Sequence, residues 1–373
     1  MFKPVLRTPL CDILGIEYPI LLAGMGSRGK ATPAELVAAV SEAGGMGCIG
    51  GSGLTPEEIR AVIRKVRTLT DKPFGVDLLL PAKLAEAAKT RSEVRRQLHE
   101  KFSDHVAFAR RVLAEHGVAE REVANEVVIS DTLIAAQLEV LFEERVSMFA
   151  AGLGDPSGVV PRARAMGMKV LGLAGTVANA QRHVKAGVDI VVAQGYEAGG
   201  HTGKIANFAL IPQVVDAVSP TPVLAAGAIV DGRGIAAALS LGAMGVWVGT
   251  AFLLADECGI ADGMKEQIIK GRAQDFDIQR IYTGKTMRCY RNAMVEAWAK
   301  SGLEPLPMPY QKILGDDFNE SVAAAGQWEL HSNPAGQGAG LLKTCQPASE
   351  IFTQLVASTH RAMHELAQRV RLA

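Results

Sequence analysis

The 373-residue chain sets 39 lysines and arginines against 39 aspartates and glutamates, with 48% apolar and 21% charged residues. This balance excludes the electrostatic footprint of a nucleic-acid-binding protein or of one held on an anionic membrane. The length exceeds the commonest single domain, of roughly 100–200 residues, and suits a (β/α)8 barrel with an appendage.

The predicted strands are short apolar runs, each followed by glycine and then a helical pattern. In chain order they are PILLAG (19–24), GMGCIGG (45–51), PFGVDLLL (73–80), VSMFAAG (146–152), KVLGLAG (169–175), IVVAQG (190–195), PVLAAGAI (222–229) and GVWVGTAFLL (245–254). They are continuous rather than alternating, as in parallel strands buried on both faces. Eight of them with helices between predict a closed barrel. A doubly wound open sheet is the alternative, because strand order cannot be read from one sequence. The helices have legible ends. One over 32–45 opens with Thr32 as its cap and Pro33 at its first position, one over 55–70 repeats that opening, and one over 176–188 starts at Thr176.

Residues 82–145, between the third and fourth strands, exceed an ordinary crossover. Helical apolar spacing appears at 104–117 and 131–144. The second completes the crossover and leaves residues 82–125 as an inserted charged helical region. The expected organisation is a barrel over residues 1–255, a smaller helical cap domain over 256–345, and a C-terminal helix within 346–373 that packs back on the barrel.

Cys11, Cys48, Cys258, Cys289 and Cys345 are odd in number and scattered, with no CxxC pair and no disulfide framework, which fits a reducing cytoplasm. The N-terminal residues lack a signal peptide's apolar core, and no apolar run reaches the ~18 residues of a membrane span. A soluble cytoplasmic protein is expected.

Barrel enzymes place their active sites at the C-terminal ends of the strands. Those ends are Gly24-Met25-Gly26, Gly50-Gly51, Asp77, Gly152-Leu153-Gly154, Gly175-Thr176, Gln194 through His201, Gly227 and Gly249-Thr250. Backbone amides would therefore line the pocket and suit a large flat ligand with a phosphate tail, although glycine in barrel loops also has a purely steric explanation. Phosphate on such barrels sits at the loops after strands seven and eight, here AAGAIVDGRG and VGT. No GxGxxG follows the first strand and no GxxxxGK[ST] occurs, so a Rossmann NAD site and a P-loop are unsupported. There is no metal-ligand spacing and no GxSxG nucleophile elbow.

His99, His105, His116, His183, His360 and His364 lie in helical runs with charged neighbours and read as solvated helix faces. His331, in a turn near NPAGQG, could approach the pocket mouth. His201 differs, because it stands at a strand end between glycines with no apolar periodicity to place it in a core. Its ordinary pKa, near 6.5, suits a general base, and bare backbone lets a substrate approach. Glu197 reads as a brace accepting backbone N–H bonds, and Cys48 as a small core residue.

The blocks PILLAGMG, SEAGGMGCIGG, FGVDLL, QGYEAGGHTG, PVLAAGAI and VGTAFLLADE, with TGKTMRCYRN and GQGAGL beyond them, resemble the nitronate monooxygenase (2-nitropropane dioxygenase-like) flavoproteins. The resemblance implies an FMN-binding (β/α)8 barrel with a helical cap that oxidises alkyl nitronates or nitroalkanes with molecular oxygen. It implies His201 as the catalytic base and Ala23, Gly24 and Met25 beside the flavin ring. Gln194, Gly199 and Gly200 would contact the ring and ribityl region, and Gly227, Trp247, Val248, Gly249 and Thr250 would hold the phosphate.

Three features depart from the family pattern. Asp77 stands where asparagine is common and puts an acceptor-only carboxylate near the flavin. Ala228 replaces a glycine and brings a Cβ close to the phosphate loop. The insertion is longer than usual and would reshape the pocket or an oligomer interface; a homodimer is compatible with it. Relatives sharing the glycine-histidine block use NAD(P)H, so a quinone reductase or an enoyl-acyl-carrier-protein reductase is the alternative function. A flavin-free phosphate-binding lyase or isomerase is a third. The expected partners are a small molecule and oxygen, with no nucleic acid, membrane or metal.

Overall fold

The structure is a computed structural model that describes residues 5–26, 30–80 and 90–370. Its strands are β1 (Ile20–Leu22), β2 (Gly47–Gly50), β3 (Phe74–Leu80), β4 (Met148–Gly154), β5 (Lys169–Ala174), β6 (Ile190–Gln194), β7 (Gly200–His201), β8 (Val223–Ala226), β9 (Gly245–Val248), β10 (Phe276–Gln279) and β11 (Met287–Tyr290). Eight form one parallel sheet in the order β1-β9-β8-β6-β5-β4-β3-β2. A parallel bridge between Leu21 and Met46 joins its two ends, with the Leu22 N–H donating to the Met46 carbonyl at 2.9 Å. The ring is closed, and the open-sheet alternative falls.

Alternation along the strands divides the apolar residues into two cores. Leu21, Met148, Leu171, Val192, Leu224 and Trp247 point inward, and the helix Pro9–Leu14 adds Leu10, Cys11 and Leu14 to that interior. Ile20, Ile49, Val76, Phe149, Val191 and Val246 point outward against the ring of helices. Burial on both faces explains why the strands read as continuous apolar runs.

Thr55 forms a full capping box with Glu58, and Thr176 caps its helix by accepting from the Asn179 N–H. Thr32 does not cap. Its hydroxyl donates to the Met25 carbonyl at 3.3 Å and accepts from the Gly50 N–H at 2.8 Å, while Pro33 takes the cap position. It braces the ends of β1 and β2 instead. His183 also departs from the sequence expectation. Gly172 leaves a gap on β5 that the imidazole fills, with Nε2 on the Leu173 carbonyl at 2.9 Å, so His183 is buried rather than solvated.

Of the expected insertion, residues 82–89 lie outside the described residues. The rest carries the helices Arg91–Lys101 and Ser103–Glu115. Their apolar faces meet the segment after the barrel: Phe108, Val112 and Leu113 pack with Ile281, Trp298, Phe318 and Val322, and Val94 and Leu98 with Leu306 and Ile313. Arg91 and Arg95 reach Asp316 and Asp317 across the same boundary at 3.1 and 2.7 Å. Insertion and C-terminal segment thus share two small apolar clusters. That segment is not wholly helical, because β10 and β11 form a hairpin to which β7 adds antiparallel. The helix Ala348–Arg369 returns to the barrel, where Phe352 meets Tyr18 edge-on at 5.9 Å and Ser358 accepts from the Gly232 N–H. Among the described residues no helix is long and apolar enough to cross a membrane.

Candidate active site

His201 does not sit at the end of a barrel strand. It follows β6 by seven residues and lies in β7, opposite Met287 of β11. Its Nδ1 is 3.1 Å from the Thr286 carbonyl, a group that only accepts, so Nδ1 carries the proton and Nε2 keeps a lone pair. Burial, with Lys285 and Lys312 nearby, lowers its pKa from 6.5 despite the opposing Thr286 bond, so the ring is neutral at pH 7. Gln194, at the end of β6, donates from Nε2 to the His201 carbonyl at 2.5 Å.

The loop between β6 and β7 is held from three sides. Both Glu197 carboxylate oxygens accept from the Asn207 N–H, at 3.0 and 3.1 Å, the bracing role expected of it. Arg288, 1% exposed, places Nη2 2.9 Å from the Tyr196 carbonyl, and its guanidinium lies 4.5 Å from the Tyr196 ring centroid. A Cβ on Gly199 would stand 2.6 Å from the Ala335 carbonyl carbon, so glycine there admits the Ala335-Gly336 backbone. At Gly200, by contrast, the φ of +69° itself requires glycine and nothing lies within 4 Å of the Cβ position.

The remaining predicted residues fall into two groups at the barrel mouth. Ala23, Gly24, Met25 and Gly249 meet just beyond the ends of β1 and β9, where Gly24 abuts Asp77, midway along β3. The Ala23 N–H binds the Val248 carbonyl at 2.9 Å, and Met25 Sδ lies 3.2 Å from a Cβ built on Gly249. Gly227 and Ala228 follow β8, beside Ala198 and Asn207, whose Nδ2 donates to the Gly227 carbonyl at 2.5 Å. Trp247 fills the barrel interior and Val248 faces the helices, so their side chains point away from the loop that leaves β9 at Gly249. Thr250 opens a 3-10 helix, and its hydroxyl accepts from the Gly336 N–H at 3.0 Å. His331 packs against Trp328 in the segment after the barrel, its Nδ1 2.7 Å from the Ser332 carbonyl.

Ala228 adopts φ +54°, the left-handed region a glycine occupies without strain. The chain keeps the glycine-like turn and carries a penalty of roughly 1–2 kcal/mol for the Cβ. Ala228→Gly should therefore stabilise the protein by about 0.5–1 kcal/mol, the strain relieved less the entropy glycine adds to the unfolded chain. Thermal unfolding of the two proteins measures it, and a lower Tm for the variant would mean the methyl group packs favourably.

Asp77 corrects a second expectation. Its carboxyl is buried, and the only opposing influence is the Gly152 N–H, so its pKa stands well above 3.8. Burial thus favours the acid form over an acceptor-only carboxylate, and the acid, like an amide, both donates and accepts. Folding therefore takes up a proton, and stability falls as pH rises from about 3.8 to the folded pKa. Asp77→Asn should be more stable than wild type at pH 7, by about 1.4 kcal/mol for every pH unit between 3.8 and the folded pKa, or pH 7 if that is lower. The gain should vanish below pH 3.8, where both states of the wild type are protonated. Urea unfolding at the two pH values measures it, and equal gains at both would point to packing.

Sequence reasoning missed Thr286, Arg288 and the hairpin that carries them. Its signal was present: apolar residues alternate at Phe276, Ile278 and at Met287, Cys289, around a Thr-Gly-Lys turn at 283–285. Among the described residues no group of three or more His, Cys, Asp or Glu side chains could hold a metal.

Comparison with known proteins agrees with this architecture. The family model described as nitronate monooxygenase matches residues 7–358. A probable nitronate monooxygenase of Staphylococcus haemolyticus is 34% identical over 359 residues, covering 93% of this chain and 95% of that protein. The solved nitroalkane oxidase of Streptomyces ansochromogenes superposes with a TM-score of 0.80 at 28% identity, over 96% of this chain and 99% of that one. FabK of Thermotoga maritima gives 0.76 at 29% identity, over 98% and 100%.

Proposed function

Because the chain belongs to the nitronate monooxygenase family of oxidoreductases, we propose that it uses FMN and molecular oxygen to oxidise alkyl nitronates and nitroalkanes. The observation that carries this is the state of His201: Nδ1 committed to the Thr286 carbonyl, Nε2 without a hydrogen-bond partner among the described residues, the ring neutral at pH 7. A neutral imidazole in a glycine-lined mouth is equipped to take a proton from the carbon bearing a nitro group. Lys285 and Lys312, both close enough to act on His201, favour the negative charge that then develops on the nitro oxygens.

The mouth fits a flavin mononucleotide in its donor chemistry. Gly227 and Ala228, at φ +109° and +54°, turn consecutive backbone groups out of β8, and its neighbour β9, paired through Ala226 and Trp247, leads into the 3-10 helix opening at Thr250. Backbone N–H groups in such turns and at helix starts bind phosphate. Gly227, Ala228, Gly249 and Thr250 would hold that end, with Ala23, Gly24, Met25 and Asp77 along the ring and Gln194 beside it. FMN, when bound, supplies the electron acceptor.

Anaerobic mixing of the yellow protein with a nitronate, a nitroalkane, NADH and NADPH tests the assignment. Bleaching by the nitro compounds, with FMN released on denaturation, is the expected result. Bleaching by NAD(P)H alone would make the protein a reductase, and a colourless protein that takes up no flavin would end the flavin assignment.

A further inference from the structure

Asp77 is the fourth residue of β3 and faces the barrel interior, level with Gly50 of β2 and Ala150 of β4. The strands beside it are shaped around its side chain. A Cβ on Gly24 would lie 2.4 Å from Asp77 Cβ, and one on Gly152 would lie 2.5 Å from Asp77 Oδ1. Gly24, just beyond β1, and Gly152 of β4 thus make the space in which this one carboxyl sits, 8% exposed, level with the end of β2. Among the described residues, the groups facing it are the Gly152 N–H from β4, the backbone of Gly24 just after β1, and the fully buried thiol of Cys48 from β2. None is a cation. Among the described residues no lysine, arginine or histidine makes an ion pair with Asp77, whereas every other buried acidic side chain, namely Glu144, is met by arginines at 2.7 and 3.0 Å.

A buried carboxyl without a countercharge keeps its proton, because removing an ion from water costs far more than removing an acid. The acid form has one O–H to donate, and donation to an acceptor in the mouth satisfies it. An ionised Asp77 offers only lone pairs and repels the same acceptor. We infer that Asp77, in its acid form, is a hydrogen-bond donor to the ring of the flavin held at the barrel mouth, so that ionisation of this one carboxyl releases the cofactor. Loss of its proton to solvent is the whole chemical event; no bond to the ligand forms or breaks. The inference rests on the flavin assignment made above, and it adds a pH dependence that the assignment alone does not contain.

The test titrates the flavin-free protein with FMN, following fluorescence quenching from about pH 6 to about pH 9, for wild type and Asp77→Asn. The asparagine amide donates at every pH, and FMN's own phosphate ionisation is common to both proteins. Wild-type affinity should hold and then fall roughly tenfold per pH unit beyond the ionisation of Asp77, while the variant stays level. Wild type minus Asp77→Asn infrared difference spectra at pH 7 should also contain the carbonyl band of a protonated carboxylic acid. Parallel pH profiles, or a carboxylate band in its place, would overturn the inference and leave the flavin assignment standing. Failure of both proteins to bind FMN at any pH would overturn the flavin assignment, and this inference with it.

Discussion

His201→Asn lowers the turnover of a neutral nitroalkane by roughly 10²–10⁴-fold, the usual contribution of a positioned general base. It leaves the fold and FMN binding in place. The asparagine amide can still donate toward the Thr286 carbonyl, which His201 Nδ1 occupies at 3.1 Å, so β7 keeps its place against β11. What disappears is the Nε2 lone pair. A preformed nitronate has already lost its proton, so its turnover should fall far less, and assaying both substrates on both proteins separates base from binding group. Equal losses would mean that His201 orients the substrate. The pH profile gives a second reading. Because burial lowers the His201 pKa, the acid limb of kcat/KM for the nitroalkane should lie below 6.5 in wild type and be absent in the variant.

Gly249→Val should strip the cofactor from a folded barrel. The backbone there, at φ −108°, is open to any residue, so the substitution introduces no strain of its own. The side chain is the difficulty. A Cβ already comes within 3.2 Å of Met25 Sδ and 3.6 Å of Ala23 Cβ. Two further methyl groups must displace Met25 or enter the mouth where β1 and β9 end. Overpacking of this kind costs roughly 1–3 kcal/mol, and the loss of phosphate contacts adds to it, so FMN should bind about 100-fold more weakly or worse. Fluorescence quenching measures the affinity, and circular dichroism establishes that the fold survives. Wild-type affinity would place the phosphate elsewhere.

The eight barrel strands were legible because each is buried on both faces and so reads as an unbroken apolar run; β1 at 20–22 inside PILLAG and β6 at 190–194 inside IVVAQG are examples. The hairpin of β10 and β11 escapes a search for unbroken apolar runs because Asp277 and Arg288 alternate with its apolar positions, as in strands covered on one face. Thr32 and Thr55 stand in the same Thr-Pro context, yet only Thr55 caps. Thr32 is diverted by Gly50, which lies on another strand and is brought to it by the closed ring. His201 could be singled out by its glycines, but its tautomer depends on a carbonyl 85 residues away. Asp77 and Ala228 stand out in the sequence as residue types alone. The proton on one and the left-handed backbone of the other depend on what surrounds them, which local sequence does not record.

The pairing of β7 with β11 also orders events on the ribosome. When the chain has grown to residue 250, every strand of the ring has been made, along with all the glycine loops that open onto its mouth. His201 has been made too, yet the carbonyl that fixes its proton belongs to Thr286, and the strand that holds it in register starts at Met287. Until that hairpin is synthesised, the imidazole has no Thr286 carbonyl to hold its proton on Nδ1. The tautomer of His201 is thus written by a stretch of chain made well after the last strand of the ring.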